Sequence, residues 1–386
     1  MHSLEGTIRD YAWGSRLVIA QLQGRPTPSP RPEAELWLGG HDGGPATVDL
    51  DGTPVTLDAL LAADPDRWLG AAASARFGNR LPFLLKVLAP ERPLSLQAHP
   101  DAEQARAGYA AEEAAGVHHN YVDPYHKPEL LVALTPFEAL CGFREPAISA
   151  DVLAELGIDA LAPVVAALRS GVAGLGEAVR TLLTWPEAER LVVESAVQAA
   201  GKLSDIESAA LLQRLAGEYP GDRGVLVALL LNHVHLAPGE AIWMPPGNLH
   251  AYLSGCGVEI LAASDNVLRG GLTPKRVDVP ELLRVLRFQV LAEPVVAARQ
   301  VAPGVVTWPA PVDDFALYGV RLDGGRVDLD PPGPRVVLCV EGRLEVRDGS
   351  DAVTLGRGQA AFGAAAAGPL TLVGDGEAFV ASLGRG

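Results

Sequence analysis

The sequence is short of cysteine, of positive charge and of long apolar runs, and each shortage closes off a class of protein. Only three cysteines occur in 386 residues, at 141, 256 and 339. Odd in number and far apart, they exclude a disulfide framework and point to a reducing cytoplasm. No stretch approaches the ~20 consecutive apolar residues that a membrane-crossing helix requires. The opening residues, MHSLEGTIRDYAWGS, lack the basic-then-apolar layout of an export signal. Positive charge is scarce: 31 Lys and Arg stand against 47 Asp and Glu, a formal net charge of −16, with no basic run to offset it. Nucleic acid is therefore excluded as a partner. An acidic chain of this kind can bind an anion only by gathering its few cations at one place.

What is present reads as globular: 48 % hydrophobic and 20 % charged residues, with a length that suits two or three domains. Up to about Arg144 the chain is broken by Gly and Pro, and short apolar runs at 81–88 and 130–134 read as strands. From Ser149 to about Leu231 the three-to-four-residue apolar spacing predicts a helical insert of several antiparallel helices. Thr184-Trp185-Pro186 suits a helix start there, and Ser204-Asp205-Ile206-Glu207 suits a capping box. Strand character returns at His233, with one helix around 280–286. The partition expected is 1–146 and 232–288 for one β unit, 147–231 for the insert, and 289–386 for a C-terminal β unit.

Leu236-Ala237-Pro238-Gly239-Glu240-Ala241 resembles Leu355-Gly356-Arg357-Gly358-Gln359-Ala360, and both precede strand-like runs. Two related barrels are expected on that basis. Aligned on the repeat, His250 falls opposite Pro369, and no histidine follows His250. The C-terminal unit thus lacks imidazole ligands and is expected to hold no metal.

Three short segments carry metal-ligand chemistry. In Pro93-Leu94-Ser95-Leu96-Gln97-Ala98-His99 the alternation predicts a strand, with Gln97 and His99 two apart on one face. That spacing starts a metal site; it equally suits a buried, hydrogen-bonded pair. In His126-Lys127-Pro128-Glu129-Leu130, Glu129 opens an apolar run, as a rim charge or as a ligand entering a barrel. Gly239, Pro245, Gly247 and His250 stand in the order G-x5-P-x-G-x2-H, the second signature of the cupin barrels, although Ser254 occupies the place of its usual closing asparagine. Gln97, His99, Glu129 and His250 together make a set that suits zinc, while iron and manganese share the same ligand types. His233 and His235 form a rival pair on a strand face, where polar surface is the plainer reading. A fourth segment runs from Gly257 to Lys275. There Asp265 and Asn266 are followed by Arg269, Gly270, Gly271 and Lys275, which suits either an anion-binding loop or a turn in which Arg269 pairs with Asp265.

These segments together resemble the type I phosphomannose isomerases. The matching pieces are Tyr11-Ala12-Trp13-Gly14-Ser15, Ala34-Glu35-Leu36-Trp37, Leu81 through Leu88, Ser95 through Pro100, His126 through Leu130, Gly247 through Tyr252 and Ser264 through Lys275. They stand in family order from residue 11 to about 280. The resemblance implies a mainly β fold of cupin-type jelly-roll barrels, one catalytic and one C-terminal, with an α-helical domain. It implies a mannose-6-phosphate isomerase activity that supplies GDP-mannose biosynthesis, with one zinc held by Gln97, His99, Glu129 and His250. Arg269 takes the place of the family's catalytic arginine. Lys86, Ser95, Lys127 and Lys275 fall at polar or phosphate-side positions, Glu259 and Asp265 at acidic ones near the pocket, and Trp13 at the substrate side. Glu259 is the first choice of base, with Lys127, His99 or a zinc-bound water behind it.

Two other classes compete. A sugar-binding regulator calls for a DNA-binding module, and no basic helix-turn-helix stands in the sequence. An iron dioxygenase calls for three histidines where Gln97 takes one place. An isomerase of another aldose phosphate is the enzymatic rival. A monomer acting on a small phosphorylated sugar, with no membrane partner, is expected.

Overall fold

The apolar runs around 81–88 and 130–134 form the strands Phe83–Leu88 and Glu129–Ala133, buried along their whole length. In the computed structural model, which describes residues 1–117, 119–185, 191–349 and 351–385, both strands pair with Gly257–Ala262 in a seven-stranded sheet. A five-stranded sheet lies opposite, in the order Leu231–Leu236, Phe137–Phe143, His250–Ser254, Leu96–Ala98, Leu268–Gly271. From Phe83 to Ala98, Glu129 to Phe143 and Ala241 to Gly271 the chain alternates between the two sheets. That is the jelly-roll winding, and it places side chains from both inner faces in one interior.

The helical insert decides which side chains enter that interior. Leu96, Ala98, Ala251, Leu253 and Leu268 share one apolar cluster with the insert leucines Leu182, Leu211 and Leu215. Because strand side chains alternate, Gln97, His250, Tyr252 and Arg269 are turned the other way, toward the opposing sheet. Arg269 is thus part of a strand, paired with Gln97 in register, rather than of the loop the sequence suggests. Gly271 has φ of +122°, and a Cβ there would sit 2.5 Å from the Gly224 Cα. Its missing side chain lets the insert backbone press against the strand end.

Within the insert the first helix, Pro146–Glu155, begins at a proline in its first turn, where no N–H is needed. Thr184 and Trp185 close the helix Leu175–Thr184 instead of opening one, and Pro186, the other residue of that expected start, lies outside the described residues. The capping box expected at 204–207 is not formed. Asp205 is the cap and accepts from Glu207 N and Ser208 N, both at 3.1 Å. Ser204 is drawn away by Glu155, and Glu207 turns toward two histidines. The helix near 280–286 runs Val279–Val285 behind an Asp278 cap.

Among the described residues, five helices stand before residue 144, where only strands and turns are expected: Val18–Leu22, Leu57–Ala63, Pro65–Trp68, Ala71–Phe77 and Ala102–Ala115. The last fully buries only Ala105 and Gly108, so it carries no apolar stripe to announce it. Its legible signal is the reciprocal cap of Asp101 and Gln104, with bonds of 2.9 and 3.0 Å.

The C-terminal residues build a ten-stranded sheet around the long strands Ala316–Leu329, Arg335–Asp348 and Leu370–Ser382. Residues from the start of the chain complete it. His2–Glu5 pairs with Ala360–Gly363, and the hairpin Thr47–Leu50 with Thr53–Thr56 extends the same edge. In hydrogen bonding, therefore, 1–146 does not serve the first barrel alone, and the C-terminal sheet is not confined to residues beyond 289.

The sequence repeat has a concrete meaning. Glu240 and Gln359 each send a side-chain oxygen back to the backbone N–H three residues earlier, of Ala237 and Gly356, at 2.8 Å. Gly239 and Gly358 sit in the left-handed region at φ +88° and +78°, which that turn needs. The two turns are one design used twice. In the second unit, Glu345 and Arg347 pair with each other on the surface, and an exposed pair of this kind is worth about 0–1 kcal/mol. Steady-state kinetics of Glu345→Ala and Arg347→Ala should give kcat near wild type; a large loss with the fold intact contradicts a structural role for this unit.

Candidate metal centre

Glu129 opens its strand at the mouth of the seven-stranded sheet, and Gln97 and His250 stand directly opposite each other on neighbouring strands of the other sheet. His99 follows one residue beyond the strand Leu96–Ala98. Their donors converge. His99 Nε2 lies 3.4 Å from Glu129 Oε1, His250 Nε2 lies 3.2 Å from Glu129 Oε2, and the Gln97 amide lies 3.4 Å from His250 Nε2. Donors on a tetrahedral ion with bonds of about 2.0–2.2 Å are separated by roughly 3.3 Å, so the spacing suits a divalent ion of the zinc class. Rotated about its last torsion, the Gln97 amide presents its oxygen as the fourth ligand.

The rings are held for that purpose. His99 Nδ1–H donates to Asn266 O at 2.7 Å and His250 Nδ1–H to Asn248 O at 3.1 Å, which leaves both Nε2 lone pairs inward. Asn266 is itself clamped, donating to Asp123 O and Tyr125 O at 2.8 and 2.9 Å. Burial pushes the His99 imidazole down to about 4, so the ring is neutral near pH 7. Burial alone would raise the Glu129 carboxyl, but the Lys127 ammonium beside it counters this, and the carboxyl stays well below the usual carboxylate range. Lys127 Nζ stands 3.3 Å from Glu129 Oε1. His99 Nε2 and Glu129 Oε2 are buried with no hydrogen-bond partner among the described residues. Two orphaned acceptors facing each other are costly unless a cation sits between them.

A cavity of about 610 Å³ opens beside this cluster, lined among others by Trp13, Lys86, Ser95, Gln97, Lys127, Glu129, Glu259, Asp265, Arg269 and Lys275. Arg9, Lys86, Lys127, Arg269 and Lys275 face it as cations, against Glu35, Glu129, Glu259 and Asp265 as anions. The acidic chain thus collects its positive charge here, as anion binding demands.

Glu259 is shifted in the opposite direction to Glu129. Burial and the Glu129 charge push its carboxyl up to about 7, against the pull of Lys86. Tyr252 O–H donates to Glu259 Oε1 at 2.6 Å, and Lys86 Nζ lies 3.6 Å from Oε2. Lys86 faces Glu259 across the paired strands and also lies 3.5 Å from Glu35. Burial opposes its charge, but Glu35 and Glu259 hold the ammonium above its ordinary value. Lys86, which the resemblance puts on the polar or phosphate side, lines the cavity with two carboxylates beside its ammonium.

Arg269 is half-buried, and burial lowers its pKa. No carboxylate faces its guanidinium among the described residues. Asp265, its partner in the alternative turn reading, is turned to His41 at 3.4 Å instead. Trp13 stacks on Tyr11, ring centroids 5.7 Å apart, at the cavity wall. His126 is carried out of the site and pairs with Asp314 at 2.9 Å. Tyr252, Glu35, His41 and Arg9 are site residues that the sequence reading leaves without a role. Tyr252 had a legible signal, since it lies two residues beyond His250 on the same strand face.

Residues 1–146 match the family model for the phosphomannose isomerase type I catalytic domain. The mannose-6-phosphate isomerase of Escherichia coli (strain K12) is 38 % identical over 399 residues, spanning 97 % of this chain and 98 % of the relative. A solved phosphomannose isomerase variant from Salmonella typhimurium superposes with a TM-score of 0.91 at 33 % identity, covering 99 % of both chains. A zinc-bound mannose 6-phosphate isomerase superposes with a TM-score of 0.90 at 34 % identity and 99 % coverage of both chains.

Proposed function

This chain belongs to the type I phosphomannose isomerases, and we propose that it interconverts mannose 6-phosphate and fructose 6-phosphate in the cavity beside the Gln97, His99, Glu129 and His250 cluster. The observation that carries this reading is the pair of orphaned acceptors, His99 Nε2 and Glu129 Oε2, set beside a carboxyl raised to about 7 at Glu259.

The reaction moves a proton between C1 and C2 of the sugar, through an enediolate whose negative charge must be held. Gln97, His99, Glu129 and His250 would hold the zinc, which when bound would supply a Lewis acid to polarise the sugar oxygens. Glu259 takes the proton from one carbon and returns it to the other. Its raised carboxyl lets it do both near neutral pH. Tyr252 and Lys86 hold its two oxygens so that the acceptor is aimed. His99 is a poor alternative base, because its free nitrogen belongs to the ligand set. Lys127, paired with Glu129, serves as a donor to substrate oxygen. Arg269 meets the charge that develops on the enediolate. Ser95 and Lys275 with Arg269 leave room for the phosphate, and Asp265 and Trp13 bind sugar hydroxyls and the ring face.

Membership and site together support a substrate that is a small phosphorylated sugar. Cys141, Cys256 and Cys339 are free and buried, which supports a reducing cytoplasm. No helix among the described residues is long and apolar enough to cross a membrane.

The test is a coupled assay on mannose 6-phosphate with other aldose 6-phosphates alongside. Untagged protein should retain about one zinc per chain through dialysis, as a preformed buried site predicts. His250→Ala should lose it, and turnover should fall in proportion to zinc content and return when zinc is restored to the wild type. A fully active, metal-free preparation sinks the reading, as does a preference for another aldose phosphate.

A further inference from the structure

His233 and His235 lie outside the cavity, on the strand Leu231–Leu236. Two apart, they share a face, and their rings stand 4.6 Å between centroids. Glu138 is directly opposite His235 on the neighbouring strand. From the other side comes Glu207, in the first turn of the insert helix Ile206–Glu218.

Both rings approach one carboxylate oxygen: Glu207 Oε1 lies 2.9 Å from His233 Nδ1 and 2.8 Å from His235 Nε2. The His233 tautomer is set elsewhere. Its Nε2 lies 2.7 Å from Glu138 Oε1, so Nε2–H donates there. The other Glu138 oxygen is taken by Arg214 and by Ser254 O–H at 3.0 Å. With Glu138 saturated, His233 Nδ1 carries a lone pair directed at an anion. That nitrogen is buried and has no hydrogen-bond partner among the described residues. A carboxylate holding one ring nitrogen so that the other is offered as a donor is the usual support of a metal-binding histidine.

We propose that His233 Nδ1, His235 Nε2 and the Glu207 carboxylate form a second site for a divalent transition ion of the zinc class, with Glu138 as the group that orients His233. Two imidazoles and a carboxylate are the ligand types such ions take, with solvent in the remaining position. The two separations from Glu207 Oε1 are shorter than the roughly 3.3 Å between donors on a bound tetrahedral ion. Glu207 is half exposed on the surface of its helix and has room to move outward by that difference. The ion joins a strand of the catalytic barrel to the start of an insert helix. It takes no part in the reaction and clamps the insert to the sheet whose inner face carries Gln97, His250 and Arg269.

The test uses untagged holoenzyme dialysed to its one retained zinc, then titrated with Zn²⁺ alone against a chromogenic chelator. Wild type should take up a second equivalent. His235→Gln and Glu207→Gln, both at exposed positions, should bind that equivalent at least ~10-fold more weakly, while the first zinc and kcat stay unchanged. Zinc above the first equivalent should also raise the Tm of wild type and leave that of both variants where it is. Absence of a second equivalent in wild type, or uptake of equal affinity in both variants, overturns the proposal and leaves the catalytic reading untouched.

Discussion

Glu259→Gln is expected to lower kcat by about 10²–10⁴-fold with zinc content unchanged. Gln keeps the shape and can still meet Tyr252 and Lys86, yet it cannot accept a proton. The same group sets the acid limb of the rate profile. Its carboxyl is raised from its ordinary value of 4.5 to about 7 by burial and by Glu129. Below that value it is protonated and useless as a base, so kcat/KM should fall as pH falls through it. Positive charge from bound zinc works in the opposite direction and pulls the limb downward. The limb should still lie above the ordinary carboxylate range. Tyr252→Phe removes the 2.6 Å bond to Glu259 and should move the limb upward, since that bond favours the charged form. Wild-type kcat in Glu259→Gln, measured on zinc-loaded protein, would assign the proton transfer to another group.

Arg269→Ala should cost about 10²–10³-fold in kcat while KM moves little. The guanidinium faces the cavity from a strand position opposite Gln97, with no carboxylate of its own to satisfy among the described residues. A cation left free in a half-buried wall acts most strongly where negative charge appears during the reaction. Arg269→Lys should recover only part of the loss, because an ammonium cannot grip two oxygens in one plane. If Arg269 mainly holds the phosphate, KM rises and kcat survives instead. Kinetics of both variants, on protein shown to carry zinc, separate these outcomes.

The sequence disclosed what short spacing can encode. Gln97 and His99 two apart, the turn before His250 and the opening carboxylate at Glu129 are all local patterns, and their donors meet. Register between distant strands is not local. That Lys86 would face Glu259, and Glu35 reach the same ammonium, depends on three strands pairing in one alignment. The resemblance put Lys86 at a polar or phosphate-side position; the two carboxylates beside its ammonium could not be read from the sequence. Arg269 looked like a loop residue because glycines follow it. Gly271 instead serves the close approach of Gly224, a contact between segments far apart in the chain. The helix Ala102–Ala115 escaped for a different reason: with two small residues buried, it has no hydrophobic period to detect.

The pairing of His2–Glu5 with Ala360–Gly363 has a consequence for how the molecule is made. A ribosome releases the first strand long before its partner exists, and domains tend to fold in the order they emerge. The catalytic strands up to Gly271 can assemble while the edge formed by residues 2–5 and 47–56 still waits unpaired. Contacts of such large sequence separation form slowly, and an open strand edge invites pairing with other chains. The final closure of the protein is thus a meeting of its two ends, and a chain truncated before residue 360 leaves its own beginning exposed to aggregation.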